Sequence, residues 1–323
     1  MEKQIWDKKP YHSLDYYFKE VYGQKIYKIA IDGGMSCPNR DGVIDDRGCL
    51  FCSQGGSGEF SAPMDRAHPD IHSQIEKGKL LLSQKYSGCH YVAYFQPYTN
   101  TYAPVSYLRN IYSQALEDNE VVGISIATRP DCLPLDVIDL LSELKHTYSG
   151  KFIWVELGLQ TIHRKTAQLI RRGYEISVFE EAVRKLNQIQ IPIIVHIILG
   201  LPEESREQMI STVEYLNTFP IFGIKLQLLH VLEHTDLAEL YKKRLFEVLT
   251  LDEYTDIVIE CLERLTPEMV IHRITGDGPR KLLIAPEWSL DKKQVLNTLL
   301  NKMKAKNSWQ GKQYEYTGAF HII

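Results

Sequence analysis

The sequence predicts an α/β fold built on parallel strands, either a barrel or part of one. Two observations lead to this class. Between residues 25 and 230, a predicted strand is followed by a predicted helix again and again, and the strands are almost continuously apolar instead of alternating. Continuously apolar strands are typical of parallel sheets that helices cover on both faces. Repeated strand–helix units are typical of α/β barrels, although two-layer and three-layer open sheets fit the same pattern.

The predicted elements follow one another in a regular order. Runs of β-branched and other apolar residues predict strands at 25–31, 90–96, 120–127, 151–159, 192–199 and 222–230. The segments between them predict helices at 65–86, 105–116, 134–147, 175–190 and 204–217. Beyond residue 231 we expect two more helices, a strand near 269–274 and a basic helix near 290–306.

Composition excludes several classes of protein. The 323 residues are 44% hydrophobic and 24% charged, which supplies enough apolar material for a core and excludes a disordered chain. The net charge of −4 gives no overall attraction to nucleic acid or to an anionic membrane. The most apolar stretch, 191–202, is too short to cross a bilayer, and the N-terminus lacks the apolar core of a signal peptide. We therefore expect a cytoplasmic protein without membrane contact.

A cysteine triad in the loop after the first predicted strand is the most informative motif. Cys37, Cys49 and Cys52 have the spacing C-x11-C-x2-C. Three thiolates can hold three irons of a [4Fe–4S] cluster and leave the fourth iron open for a substrate or cofactor. A structural zinc site is an alternative, and its fourth ligand would come from His68, His72, Cys89 or His90. The position at the catalytic end of a barrel strand favours the cluster.

The other predicted strands also end in unusual polar strings. These strings are QPYTNTYAP, TRPDCL, LQTIHRKT, GLPEES and HVLEHT. Because the carboxyl ends of barrel strands lie on one face, and barrel enzymes carry their active sites there, these loops are expected to surround one site together with the cysteine loop.

Together these strings resemble a known family. The cysteine triad with Phe51 before its last cysteine resembles the radical S-adenosylmethionine (SAM) superfamily, whose usual spacing is C-x3-C-x2-C. The longer first gap, with TRPD, VELGLQT, RRGY and HIILGLPEES, is similar to the branch that contains the Elongator catalytic subunit. The strings CPNRDG, YFQPYTNTYAP, LHVLEHT and HRITGDGPR resemble the bacterial YhcC/YtqA-type proteins.

The resemblance implies a partial (βα)6 TIM-like barrel with a C-terminal helical and basic extension. It divides the chain into an N-terminal extension (1–24), the barrel (25–235) and an extension packed on the barrel (236–323). It implies a [4Fe–4S] cluster and SAM as cofactors. Reductive cleavage of SAM would give a 5′-deoxyadenosyl radical that abstracts hydrogen from the substrate.

The same resemblance assigns roles to residues by number. The metal ligands would be Cys37, Cys49 and Cys52. Residues expected to contact SAM are Phe51, Gln96, Thr99, Asn100, Glu156, Gln160, Arg172, Ile198 and Gly200. Residues expected at the mouth of the barrel, where they would recognise the substrate base and serve catalysis, are Lys225, Gln227, His230 and Arg273. Structural alternatives also exist: Glu156 could pair with Arg129, Arg172 could end a solvated helix, and His196 could be a core histidine.

The resemblance implies tRNA as the substrate. The expected reaction converts the carboxymethylaminomethyl group on C5 of a wobble uridine to aminomethyl, with electrons from an external flavodoxin-type or ferredoxin-type donor. The segment from Asp291 onward has a local charge of +4 with interleaved aromatic residues, and 163–172 is a second basic stretch, so both could contact RNA. A small-metabolite substrate and a non-catalytic metal-binding module are the alternatives, and no feature of the sequence indicates the oligomeric state.

Overall fold

A single parallel sheet organises the computed structural model, which describes residues 3–56, 58, 61, 68–83, 90–276 and 278–315. The strands are β1 (Tyr27–Ile31), β2 (Tyr91–Phe95), β3 (Val121–Thr128), β4 (Phe152–Gln160), β5 (Ile193–Leu199), β6 (Gly223–Leu228), β7 (Val231–Leu232), β8 (Val270–Arg273) and β9 (Leu283–Ala285). Seven of them form the sheet in the order β1-β2-β3-β4-β5-β6-β8, and every pairing is parallel.

The helices lie between and after these strands. They are α1 (Leu14–Tyr22), α2 (Ile71–Ser83), α3 (Val105–Glu117), α4 (Leu135–Thr147), α5 (Arg164–Leu169), α6 (Ile176–Gln188), α7 (Arg206–Leu216), α8 (Asp236–Lys242), α9 (Leu251–Arg264) and α10 (Lys292–Ala305). Within the described ranges, no helix is long and apolar enough to cross a membrane.

The expected partial barrel is confirmed, and it has one strand more than the six expected. The strand near 269–274 is β8, which pairs with β6 and becomes an edge of the same sheet. The edge strands β1 and β8 do not pair, so the sheet is an open half-barrel. The predicted helix at 65–86 is observed as α2, and its predicted ends at 65–67 and 84–86 lie outside the described residues.

The base of the half-barrel is closed by α1, a helix that the sequence analysis did not predict. Ser13 begins α1 by accepting a hydrogen bond from the backbone N–H of Tyr16. Its Phe18 ring stacks on Trp154 of β4, with 5.7 Å between ring centroids, and both side chains are buried. The N-terminal extension is therefore an apolar plug at the amino ends of the strands.

Inside the half-barrel, side chains form successive layers because residues two apart on a strand face the same way. On β4, Trp154 belongs to the apolar base, Glu156 is the next inward residue, and Gly158 reaches the cavity above it. The intervening strand residues face outward and pack under the helices. The half-barrel thus has an apolar base, a charged middle layer and a polar cavity at the carboxyl ends of its strands.

The buried Gln310 side chain joins the two ends of the chain. Its Oε1 accepts the backbone N–H of His12 (2.9 Å), and its Nε2 donates to the carbonyls of Thr266 (2.7 Å) and Met269 (2.8 Å). The segment before α1, the turn before β8 and the segment after α10 are thereby connected at one point.

We predict that Gln310→Ala lowers the free energy of unfolding by about 2 to 3 kcal/mol, because three buried backbone groups lose their partner. Urea unfolding followed by circular dichroism measures the change. Gln294→Ala is the matched control, because Gln294 is exposed on α10. Equal stability of the two variants would contradict the role assigned to Gln310.

Candidate functional site

A cavity of about 420 Å³ opens at the carboxyl ends of the strands. Its volume lies in the range typical of small-molecule sites. The predicted site residues that line it are Cys37, Cys49, Phe51, Cys52, Gln96, Thr99, Glu156, Gln160, Arg172, Ile198, Gln227, His230 and Arg273. Three others, Asn100, Gly200 and Lys225, lie outside its lining.

The loop after β1 holds the three cysteines on one wall of this cavity, and all three are partly exposed free thiols. Arg40 fixes the end of the loop by donating to the carbonyls of Cys52 (2.7 Å) and Ser53 (2.6 Å). Gly48 has a φ of 78°, and a Cβ there would lie 2.9 Å from the Arg40 side chain. Only glycine fits this backbone without displacing Arg40.

Asn39 supports the middle of the same loop. Its Nδ2 donates to the Cys49 sulfur (3.3 Å) and to the carbonyl of Arg171 (2.7 Å). Burial, helped by the nearby Cys52, raises the pKa of Cys49 to about 11, so this thiol is protonated at neutral pH until a metal displaces its proton.

The donor set fits an iron–sulfur cluster. Three thiols face one cavity, and Arg40 and Arg129 lie close enough to act electrostatically on them, which favours thiolates. Among the described residues, no three His, Cys, Asp or Glu side chains are close enough to hold a single ion. Three thiols on one wall of a cavity, too far apart to hold a single ion, suit a larger inorganic core. Of the fourth ligands considered for zinc, Cys89 lies outside the described residues, and His68, His72 and His90 do not line the cavity.

The turn after β2 contributes Thr99 to the cavity. Its hydroxyl is buried and has no hydrogen-bond partner within the described part of the chain, so it can serve a bound ligand. The neighbouring Asn100 instead holds the backbone, because its Nδ2 donates to the carbonyls of Phe95, Pro97 and Ala127 at 2.9–3.1 Å. Asn100 therefore shapes the turn that presents Thr99.

The loop after β4 is held by Arg172. Its guanidinium donates to the carbonyls of Leu159 (3.2 Å), Thr161 (2.6 Å) and Tyr174 (3.0 Å), and it lies over the Tyr174 ring at 4.4 Å. The Gln160 amide folds back onto the carbonyls of its own strand end. Arg172 is thus a buried residue that stabilises the cavity wall, and it does not end a solvated helix. Its N–H groups donate to backbone carbonyls.

Below the cavity, Glu156 is the centre of a buried charge cluster. One of its oxygens accepts hydrogen bonds from Lys28 (3.0 Å) and Ser125 (2.6 Å), and the other from His196 (2.6 Å) and Lys225. Lys225 also donates to the Tyr94 hydroxyl at 2.9 Å. The four partners of Glu156 are contributed by β1, β3, β5 and β6, and Tyr94 on β2 joins the cluster through Lys225, so one carboxylate connects most of the half-barrel.

The protonation states in this cluster follow from its geometry. Burial alone would raise the pKa of Glu156, but Lys225, Lys28 and His196 outweigh it and hold that pKa well below the usual range. Burial and the positive charge of Lys225 lower the pKa of His196 to about 4. The imidazole is therefore neutral at pH 7, and its Nε2–H donates to the carboxylate.

The structure differs from one expectation and from one alternative about this cluster. Glu156 and Lys225 do not lie at the ends of strands but within β4 and β6, below the cavity mouth. The alternative partner Arg129 does not reach Glu156, because it forms two hydrogen bonds with Asp131 (2.7 and 2.9 Å). The sequence analysis expected these polar residues nearer to the carboxyl ends of their strands than they are. The alternation of residues along a strand indicates which face a side chain is on, but not how far below the cavity mouth it lies.

Several residues of the site were not predicted. Lys28, Tyr94 and Ser125 take part in the charge cluster, and Asn39 and Arg40 hold the cysteine loop. A signal for Lys28 existed in the sequence, because a lysine within an apolar parallel strand needs a buried partner. The alternative interpretation of His196 as a hydrogen-bonded core histidine agrees with its contact to Glu156.

We predict that Glu156→Gln lowers the free energy of unfolding at pH 7 by about 3 to 5 kcal/mol, because Lys28 and Lys225 lose the carboxylate that pairs with them. The pKa of Glu156 is lower in the folded than in the unfolded chain. Its stabilisation is therefore complete above a pH of about 4.5 and declines as the pH falls below that value. The difference between wild type and variant, measured by urea unfolding, should shrink in that range.

Two controls accompany this measurement. Glu143→Gln removes a carboxylate from an exposed ion pair with Arg109 and should change stability little. Adding Lys225→Met to Glu156→Gln should recover part of the loss, because it removes a buried cation. A pH-independent difference would contradict the assigned charge state of Glu156.

Comparison with known proteins identifies the family of the chain. The Radical SAM superfamily profile matches residues 46–216, and the Radical_SAM C-terminal domain profile matches residues 221–305. The uncharacterized protein YtqA of Bacillus subtilis is 44% identical over 307 residues, which cover 95% of this chain and 94% of YtqA. Protein YhcC of Escherichia coli is 36% identical over 267 residues, which cover 83% of this chain and 84% of YhcC.

A solved structure supports the architecture. The archaeal Methanocaldococcus infernus Elp3 has a TM-score of 0.66 and 17% sequence identity, over 88% of this chain and 64% of Elp3. At this identity the likeness shows the fold alone. With the profile and sequence matches, it leads to one conclusion: the chain belongs to the radical SAM superfamily and within it to the family of YtqA and YhcC, and it is similar at lower identity to Elongator complex protein 3.

Proposed function

We propose that this radical SAM enzyme modifies tRNA, converting the carboxymethylaminomethyl group on C5 of a wobble uridine to aminomethyl. The bond between the amine nitrogen and the carboxymethyl carbon would break with addition of one water, and glyoxylate would leave. The two electrons released would be taken up in the conversion of SAM to methionine and 5′-deoxyadenosine. The observation that carries the proposal is the cavity itself. Its three thiols lie on the loop after β1, one edge strand of the sheet. The polar candidates for base recognition, Gln227 and Arg273, lie on β6 and β8 at the other edge. The resemblance of the strand-end motifs to the Elongator branch supports the substrate class.

The residues of the chain have distinct tasks in this proposal. When bound, the [4Fe–4S] cluster and SAM supply a 5′-deoxyadenosyl radical that takes a hydrogen atom from the substrate. Cys37, Cys49 and Cys52 would ligate the cluster, and the Thr99 hydroxyl is available to SAM. The Glu156 cluster forms a rigid floor that holds the cavity open and excludes bulk water from below.

The basic tail supports RNA binding less than the sequence indicated. Lys302 forms ion pairs with Asp252 (2.6 Å) and Asp256 (3.2 Å) of α9, and Lys306 and Lys312 also pair with carboxylates of α9. In the stretch 163–172, Arg164, Lys165 and Arg171 pair with acidic residues as well. Much of the expected positive charge is thus compensated within the fold.

The cavity rim at residues 279–282 offers a better phosphate-binding surface than the basic tail does. Arg280 and Lys281 are exposed, and neither has an ion pair within the described ranges. Pro279, next to them, lines the cavity, and the backbone N–H of Glu233 donates to the Leu282 carbonyl (2.7 Å), which fixes this segment at the mouth. An RNA that inserts a base into the cavity would bring its phosphates to these side chains.

We predict that cells lacking the protein accumulate carboxymethylaminomethyluridine and lose aminomethyluridine in their tRNA, as measured by mass spectrometry of tRNA nucleosides. Wild-type protein should restore the normal pattern. Cys49→Ala should not restore it, and the purified variant should hold far fewer than the roughly four irons per chain that one cluster requires.

Cys261→Ala is the matched control for Cys49→Ala. Cys261 is buried in α9, away from the cavity lining, so its loss should leave both iron content and tRNA nucleosides unchanged. Unaltered nucleosides in the deletion strain, with intact SAM cleavage by the purified protein, would favour the small-metabolite alternative.

We predict that Arg280→Ala with Lys281→Ala weakens tRNA binding several-fold and flattens its salt dependence, because two phosphate contacts are lost. Equilibrium binding over a series of salt concentrations measures both effects. Arg184→Ala with Lys185→Ala, a basic pair on α6, is the matched control and should bind like wild type. If both double variants bind tRNA alike, the rim is not the RNA surface.

A further inference from the structure

The cavity has a large excess of positive charge. The cations in its lining are Lys28, Arg40, Arg129, Arg172 and Arg273. Lys225 lies directly beneath it, in contact with Glu156. Glu156 is the only carboxylate in the described lining. A partly enclosed site with this imbalance attracts anions.

Most of these cations already have a partner. Lys28 and Lys225 share Glu156, and Arg129 is paired with Asp131. Arg172 donates to backbone carbonyls. Arg40 donates to the carbonyls of the cysteine loop and lies near thiols that become thiolates when they ligate iron.

Arg273 is the exception. It forms no hydrogen bond or ion pair with any described residue, although it lines the cavity and is only partly exposed. Glu156 cannot serve it, because both Glu156 oxygens already accept two hydrogen bonds each from other side chains. A guanidinium in this position favours a planar anion, since its donors match a carboxylate in a bidentate geometry.

The surroundings of Arg273 strengthen this preference. It is the register partner of Lys225 on β6, and Gln227, two residues further along β6, lines the cavity beside it. Burial lowers the pKa of Lys225 and of His196, and repulsion by the nearby charge of Arg273 lowers both further. An anion bound at Arg273 would relieve this repulsion.

The position of Arg273 in the sheet favours the substrate over SAM as the molecule that carries this anion. The cysteine loop follows β1 at one edge of the sheet, whereas Arg273 ends β8 at the other edge. A molecule that binds the cluster is anchored at the first edge. A group at Arg273 belongs to the molecule that enters from the other side of the cavity.

We propose that Arg273 binds a carboxylate of the substrate and thereby selects an acidic C5 substituent. This inference rests on the proposed function, because the carboxymethylaminomethyl group carries such a carboxylate and its product, aminomethyl, does not. Arg273 would therefore hold the substrate in place and release the product, from which the anionic group has been removed.

The test uses the reconstituted holoenzyme and two anticodon stem-loops that differ only at the wobble uridine. One carries carboxymethylaminomethyl, and the other carries the carboxamide of the same group. We expect wild type to use the acid with a kcat/KM at least about ten-fold above that of the amide, as for a hydrogen-bonded charge pair. Arg273→Gln should bring this ratio close to one, and Arg273→Lys should keep part of it.

Arg109→Gln on α3, far from the cavity, is the control and should keep the full ratio. Iron content and urea unfolding of every variant exclude loss of the fold as the cause. Conversion of both RNAs by wild type with equal kcat/KM would overturn the inference and leave the proposed function intact. Conversion of neither RNA would overturn the proposed function. An unchanged acid-to-amide ratio in Arg273→Gln, with both rates lower, would assign Arg273 to another anion and overturn the inference.

Discussion

One buried carboxylate determines the shape of this molecule. Glu156 accepts hydrogen bonds from side chains of β1, β3, β5 and β6 across the interior of the sheet. Because β1 and β8 do not pair, hydrogen bonds between strands alone leave the curvature of the sheet undetermined. The contacts of Glu156 supply the missing constraint. An ionic centre of this kind is costly to desolvate, so its value lies in defining one geometry more than in adding stability.

The cavity follows from that geometry. The apolar base, with Phe18 on Trp154, fills the amino ends of the strands, and the charged layer covers it. Space is left only above this layer, where Gly158 and Thr99 border the opening and the cysteine loop lies to one side. Polar side chains in and beside the opening are held by backbone contacts, as Arg172 and Asn100 show. Radical chemistry benefits from such rigidity, since a reactive intermediate must meet one hydrogen atom and no water.

The sequence predicted those parts of the fold that depend on local pattern. Apolar runs gave the strands, and the cysteine spacing gave the loop that carries the thiols. It did not predict the depth of Glu156 and Lys225, because depth depends on how neighbouring strands are aligned. It also overestimated the free charge of the tail, because Asp252 and Asp256 on α9 meet Lys302 only after folding. Contacts between distant segments leave little trace in a single sequence.

The hydrogen bonds of Gln310 affect the order in which the chain acquires its structure. His12 and its partner Gln310 are 298 residues apart, so His12 is synthesised long before Gln310. Strand β8, whose Ile271 N–H donates to the His12 carbonyl (2.7 Å), is also made after the other six strands of its sheet. During translation, the segment around His12 must therefore wait for these two partners until β8 and Gln310 have left the ribosome. The base of the half-barrel is completed after its central strands, so a nascent chain lacks this part of its packing until then.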